Sequence, residues 1–456
     1  MHARLEEKIK AFVRSQGVDV VGIAGPDRLD GPPSLDPTYT MKSARSIVSL
    51  VLPMDVEAID DFLGKKSYVP HNLDQIKKNQ QMNRVTELTA GYIRSLGYQA
   101  TPVRANNTYR RTMYPFAVIP SFSHRLGAMA AGIAGQGWSG NAMTEEYGGA
   151  NYLGTVVTDA VLESDEPRYS PRHFTDTCCK TCKMCDKVCP AQMFREVEEE
   201  YVLLNGELHP RAKRNDINLC SASCFGMHAI SPDKTFTSWG FGWIDAWMNR
   251  STDNASKASV IARMLGAIYT KGDSAARYAA ISAIGSRIHP ETVINEYLDK
   301  HPEKLAQKER VKEWMAFAGK LGVSGIKSDR LLVCGQCSLV CGPDLRECAR
   351  RYKLLTNGGL VVLGPDGAMV NAPTYEDAAR LRAKRLPNVT AWDVFKDMLG
   401  MNMLFISRYT GFEPKSFIAG RLYARRMKKA VARHAKGHKD SAAAAATNPR
   451  GVVAPT

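Results

Sequence analysis

Between Cys178 and Pro190 the chain reads CCKTCKMCDKVCP, five cysteines in thirteen residues. No other stretch restricts the fold so tightly. Thiols at this density are either cross-linked or bound to metal, and the compartment separates the two. The N-terminus, MHARLEEKIKAFVRSQGVDV, lacks the basic segment and apolar run of a secretory signal. The pair Arg110–Arg111 lies too deep in the chain to direct export. No stretch approaches the ~18 uninterrupted apolar residues of a membrane span. A cytoplasmic protein is therefore expected, in which the eleven cysteines serve metal or redox chemistry.

Without Cys178, the stretch becomes Cys179-x2-Cys182-x2-Cys185-x3-Cys189-Pro190, the spacing that holds [4Fe–4S] clusters in bacterial ferredoxins. Three thiolates two residues apart point inward at one cube, while the fourth is directed at a neighbouring one. Zinc needs four tetrahedral ligands, usually from two separated knuckles, and fits five thiols in one loop poorly. A second set is needed, and CGQCSLVCG supplies Cys334, Cys337 and Cys341. Interleaving gives Cys341 to the first cluster with Cys179, Cys182 and Cys185. The second takes Cys189, Cys334, Cys337 and one more thiol. CSASC offers Cys220 and Cys224, with Leu219 favouring Cys220, and Cys348 is a more distant candidate. Cys178 and Cys348 read as buried bystanders.

At 456 residues, 44 % of them hydrophobic, the chain can bury a sizeable core. Apolar spacing predicts a helix over 4–16, strands over 18–25 and 46–54, a helix over 75–96 and a strand over 152–162. These indicate an α+β fold with a layered α/β core over 1–170. A cysteine-bearing module follows over 171–350, with a helical insert at about 225–333. Residues 351–420 are expected to pack on the core, with a hairpin over 360–370 turning at Pro365–Asp366–Gly367. A basic helix and disordered tail occupy 421–456. Trp239, Trp243 and Trp247 form one helix face, read as packing.

Beyond the cysteines, the chain resembles the superfamily of reductive dehalogenases and epoxyqueuosine reductases. VVGIAG, DPTYTMKSARSIVSLVLPM, RSLGYQATPV, AAGIAGQGWSGNAM and EEYGGANYLGTVVTDAVLESDEP are similar to family segments and occur in the family's order. The resemblance spans most of residues 1–350. It implies a nitroreductase-like core cradling a cobalamin, with a dicluster ferredoxin-like module against it. Gly132, Gly135, Gly137 and Gly140 would let backbone approach the flat cofactor closely. Proton donation would fall to Tyr114, supported by Asn141 and a cation such as Arg110 or Arg111; otherwise Tyr114 is a core aromatic. The chain departs from the family at Tyr152, where dehalogenases carry arginine, and at Val118, where the epoxyqueuosine reductases carry an aspartate.

The resemblance implies reduction of a carbon–heteroatom bond in a small organic substrate, with electrons from a ferredoxin- or flavodoxin-like donor. Two other functions are consistent with the sequence: a two-cluster electron carrier without corrinoid, and an epoxyqueuosine reductase-like enzyme acting on tRNA. The formal charge of +15 concentrates late, with eight Lys and Arg and no acid over 421–439. That run is a solvated helix face, a peripheral membrane contact, or a nucleic-acid contact.

Overall fold

A computed structural model describes residues 4–103, 110, 120–190, 192–214, 220, 231, 234–239, 334–363, 369–381 and 414–447. The first helix, α1 (Leu5–Ser15), buries Ile9 and Val13. It leads into β1 (Val20–Ala24), every residue of which is buried. β2 (Ser46–Pro53) follows, then α2 (Val56–Leu63), capped by the Asp55 side chain. The long α3 (Val69–Ser95) starts six residues before the expected Gln75, with a proline in its first turn. Leu88, expected on its apolar face, is exposed. Next come β3 (Ala100–Val103), α4 (His124–Ala130), the two-residue strands β4 (Gly135–Gln136) and β5 (Ala142–Met143), and β6 (Asn151–Thr158).

The central sheet has the order β1-β2-β6-β3, and every pairing in it is antiparallel. Alternate residues of each strand serve opposite faces. Val21, Ile23, Val48, Leu50, Leu52 and Val156 pack with Ile9, Val13, Met82, Val85 and Ile93 of α1 and α3. Val20, Ala24, Ile47, Val51 and Val157 pack on the other face with Phe122, Ala128 to Ala131 and Ile133. Helix and chain therefore cover both faces, which explains near-continuous apolar strands in an antiparallel sheet. Pro102 is tolerated because β3 is an edge strand. β6 ends at Thr158, short of the expected residue 162, and Val161 beyond it is 65 % exposed.

Gly22 of β1 sets how closely the next layer approaches. A Cβ there would strike Ile133 Cγ2 and the Ala131 carbonyl oxygen. The chain after α4 is thus pressed onto the sheet, and its hairpin β4–β5 carries the glycine-rich segment. Backbone also ties the lead-in to the cysteines: Ile23 N–H donates to Asp165 Oδ2 (2.9 Å), and Arg168 N–H to Gly132 O (2.9 Å).

Three short helices follow: α5 (His173–Asp176), α6 (Cys178–Cys182) and α7 (Met184–Lys187). Apolar spacing announces nothing at 194–214, yet β7 (Phe194–Leu204) and β8 (Glu207–Arg214) form a long hairpin there. Its turn is Asn205–Gly206, both at positive φ (51° and 82°), the dipeptide favoured in two-residue hairpins. After the second cysteine segment come α8 (Gln336–Leu339), α9 (Leu345–Asn357), the hairpin β9 (Leu360–Leu363) and β10 (Met369–Ala372), and α10 (Tyr375–Leu381). The hairpin lies where expected; its turn residues, and nearly all of the 225–333 insert including Trp243 and Trp247, lie outside the described residues. Trp239 is buried, donating Nε1–H to Phe62 O (2.6 Å), in keeping with a packing role.

Finally, α11 (Pro414–Thr447) carries the basic run. It docks through Tyr423 Oη, which accepts from Leu203 N–H (3.0 Å), and through Arg426 on Asp30. The alanine run read as a disordered tail continues this helix to Thr447, in line with alanine's helix propensity. Among the described residues no helix is long and apolar enough to cross a membrane.

Two predictions follow from this packing. Gly22→Ala should destabilise the protein by about 1–3 kcal/mol through overpacking, read as a lowered midpoint in chemical denaturation. His71, buried in α3, has its pKa lowered from 6.5 to about 4 by loss of solvation. Its neutral form is the one the fold accepts. Its contribution is therefore complete above about pH 6.5 and is lost as pH falls toward 4. His71→Phe should flatten that part of the melting temperature–pH curve.

Candidate functional site: a cavity lined by thiols

Helices α6 and α7 would be one helix but for Lys183, which sits at φ 48° in the left-handed region. The break turns Cys179, Cys182 and Cys185 toward a common space. Lys183 Nζ lies 2.8 Å from the centroid of the Trp138 ring, a cation–π contact that holds the bend.

The second cysteine segment reaches the same space from about 150 residues away in sequence. It is seated on the Gly148–Gly149 turn. Gly149 N–H donates to Cys341 O (3.0 Å). Gly148 has φ +62°, and a Cβ on it would collide with Gly342 O; only glycine satisfies both conditions. One turn away, Asn141 Nδ2 donates to Ser338 Oγ (2.8 Å) at the end of α8.

Cys179, Cys182, Cys185 and Cys341 thereby line one cavity. Trp138, Met143, Met184 and Val340 supply apolar wall, and Ser139 and Lys183 the polar remainder. Met143 Sδ lies 3.8 Å from Cys179 Sγ and 3.7 Å from Cys341 Sγ. Among the described residues, no three His, Cys, Asp or Glu side chains are placed to hold a single metal ion. Four thiols around a cavity suit a polynuclear centre better than one zinc at ~2.3 Å from each sulfur. Burial pushes the Cys185 thiol upward, reinforced by Cys337. Cys179 is pushed upward by Cys178 and then by burial. A bound cation reverses this, because it favours the thiolate outright.

Of the remaining thiols, Cys189 is buried and its Sγ accepts from Met193 N–H (3.3 Å). Cys189, Cys220 and Cys337 share one apolar cluster with Trp138, Phe174 and Phe194. Cys334 is half-buried, close enough to Lys65 to act on its charge; Cys224 lies outside the described residues. Cys178 Sγ is 4.0 Å from Cys179 Sγ. Cys348 is buried beside Cys182 and Cys341, and its Sγ accepts from Gly342 N–H (3.2 Å).

The four glycines expected to face a flat ligand face protein. A Cβ on Gly132 would meet Glu166 O at 2.9 Å, on Gly135 the Phe174 ring at 2.7 Å, and on Gly137 Met143 Cγ at 2.9 Å. On Gly140 it would strike Arg214. Tyr114 and Arg111 lie outside the described residues. The Arg110 guanidinium is occupied, donating to Ser121 O (3.0 Å) and Asp36 O (3.1 Å) and stacked 4.2 Å from the Tyr39 ring. Tyr152 Oη is 3.4 Å from Asp74 Oδ2, and burial raises its pKa.

Sequence reasoning passes over several groups that build the site: Met143, Trp138, Lys183, and Arg211 and Arg214 of β8. The Asn205–Gly206 dipeptide is the signal that would have placed the two arginines on a hairpin. The others carry no such signal.

No protein-family model matches the chain. Over 166 residues it is 30 % identical to the tetrachloroethene reductive dehalogenase of Desulfitobacterium hafniense, which is 36 % of this chain and 26 % of that protein. The enzyme of the same name from Dehalobacter restrictus matches to the same extent. Over that segment the chain is similar to the reductive dehalogenases. The alignment spans about a quarter of their length. Among solved structures, a catabolic reductive dehalogenase overlaps this chain with a TM-score of 0.35 at 17 % identity, over 48 % of this chain and 29 % of the other. An epoxyqueuosine reductase with a tRNA stem loop overlaps with a TM-score of 0.34 at 13 % identity, over 93 % and 99 %. Neither overlap reaches the level of a shared fold.

Gly148→Ala should separate the two cysteine segments by strain and collision at once. We expect a destabilisation of about 1–3 kcal/mol in the metal-free protein, measured by denaturant titration. Gly206→Ala, where nothing lies within 4 Å of the new Cβ, should cost less.

Proposed function

We propose that the chain is an iron–sulfur reductase of the corrinoid-dependent kind, reducing a carbon–heteroatom bond in a small organic substrate. The observation that carries this reading is the meeting of Cys179, Cys182, Cys185 and Cys341 around one cavity, in a chain similar over part of its length to the reductive dehalogenases. These four would hold one cluster, and Cys189, Cys220, Cys334 and Cys337 a second. Bound there, [4Fe–4S] clusters supply one-electron transfer, and a corrinoid supplies a low-valent cobalt capable of the reduction itself.

The chain's own residues set the conditions. Trp138, Met143 and Val340 keep water from the first thiol set, and Lys183 places a positive charge beside it. Asn141 fixes α8, and with it Cys337, against the core. Tyr114 is the proposed proton donor through its hydroxyl. The corrinoid rests on the resemblance, because Gly132, Gly135, Gly137 and Gly140 each abut protein; no step is assigned through it. The alternative, a two-cluster electron carrier without corrinoid, would use the same thiols. Electrons would come from a ferredoxin- or flavodoxin-like protein in either case.

Anaerobic reconstitution with iron, sulfide and cobalamin separates these readings. The reductase predicts about eight irons and about one cobalt per chain, and the carrier the same iron with no cobalt. Cys341→Ala should halve the iron, whereas Cys178→Ala should leave it unchanged. A colourless product, a product holding zinc, or full iron in Cys341→Ala would sink the proposal.

A further inference from the structure

Three arginines converge on the Ser139–Gly140–Asn141 turn, on the side of the second thiol set. Arg125 Nη1 donates to Gly140 O (3.2 Å), and Arg214 Nη2 to Ser139 O (2.8 Å). Arg211 lies against Gly140 and donates to Glu200 Oε1 (2.8 Å). Glu200 is the only carboxylate ion-paired with the trio among the described residues. Arg214 Nε is buried without an acceptor among them. Arg125 is exposed, with its head group held on Gly140 O.

The Arg214 guanidinium, half-buried and in no ion pair among the described residues, is costly unless negative charge beyond Glu200 faces it. Apart from one another, Arg211 and, for Arg214, Glu200, the groups whose charge acts on Arg125 and Arg214 are thiols. Arg125 is close enough to interact with Cys337 and Cys220, and Arg214 with Cys337. A cluster held by four thiolates is negatively charged, and more so when reduced, so nearby cations favour the reduced state. The first thiol set has a different environment. Its Lys183 is offset by Asp186 and Glu199, both close enough to interact with it.

We infer that Arg125 and Arg214 are positioning residues for electron transfer, which raise the reduction potential of the cluster held by Cys337 and Cys220 above the value its thiols alone would give. The two clusters are thereby made unequal, and the second becomes the easier to reduce for a given cluster type. This inference rests on the two-cluster reading.

The test is a redox titration, followed by electron paramagnetic resonance, of the full reconstituted chain and of Arg125→Gln, Arg214→Gln and the double variant. Iron and sulfide are counted in each. The expected result is a shift of one cluster's midpoint to more negative potential, larger in the double variant. The other midpoint should stay within error, and iron should be unchanged. Arg125→Lys and Arg214→Lys keep the charge and should restore most of the shift. Arg4→Gln, a variant of a surface arginine paired with Glu163, should shift neither midpoint. With about eight irons present, unmoved midpoints, or equal movement of both, overturn the inference and leave the two-cluster reading intact. About four irons in the unmodified chain overturn both together.

Discussion

Everything in the candidate site depends on the seating of Cys341 on the Gly148–Gly149 turn. That contact joins a layered core built before residue 170 to a cysteine segment that begins at Cys334. It tolerates no side chain at Gly148 and little movement at Gly149, where a Cβ would come within 3.0 Å of Cys341 Sγ. A fixed backbone contact of this kind converts two cysteine sets, distant in sequence, into the lining of one cavity. The Asn141–Ser338 hydrogen bond supports it from the other side. The core is therefore more than a support for the cysteines: its glycine segment is one wall of the site.

This changes the meaning of the glycines. In the sequence they read as backbone cleared for a flat ligand. In the structure Gly135 and Gly137 make room for Phe174 and Met143, residues of the same apolar cluster as the thiols. Close approach is what the glycines provide, and on the side where a Cβ would stand the partner is protein.

Thiols, apolar wall and charge are contributed by different elements. The short helices α6 and α7 bring thiols. Trp138 and the strand β5 bring apolar wall. The hairpin β7–β8 brings Arg211 and Arg214, and α4 brings Arg125. Since these elements are far apart in sequence, the charge around each thiol set can be altered without touching a ligand. Were each thiol set to hold a cluster, that separation would allow the two to differ in potential.

The sequence by itself determined the local chemistry. Cysteine spacing over 179–189, the strands around Val20 and Ile47, α1, and the hairpin near Leu360 are set by neighbours within a few residues, so periodicity and turn residues disclose them. It also held the Asn205–Gly206 signal for the β7–β8 hairpin. What only tertiary structure decided is which distant groups meet: Cys341 with Gly149, Met143 between two thiols, Cys348 beside Cys182, and Arg125 and Arg214 near Cys337. Such meetings depend on how layers pack across the sheet, and packing between remote segments leaves no period in a linear chain.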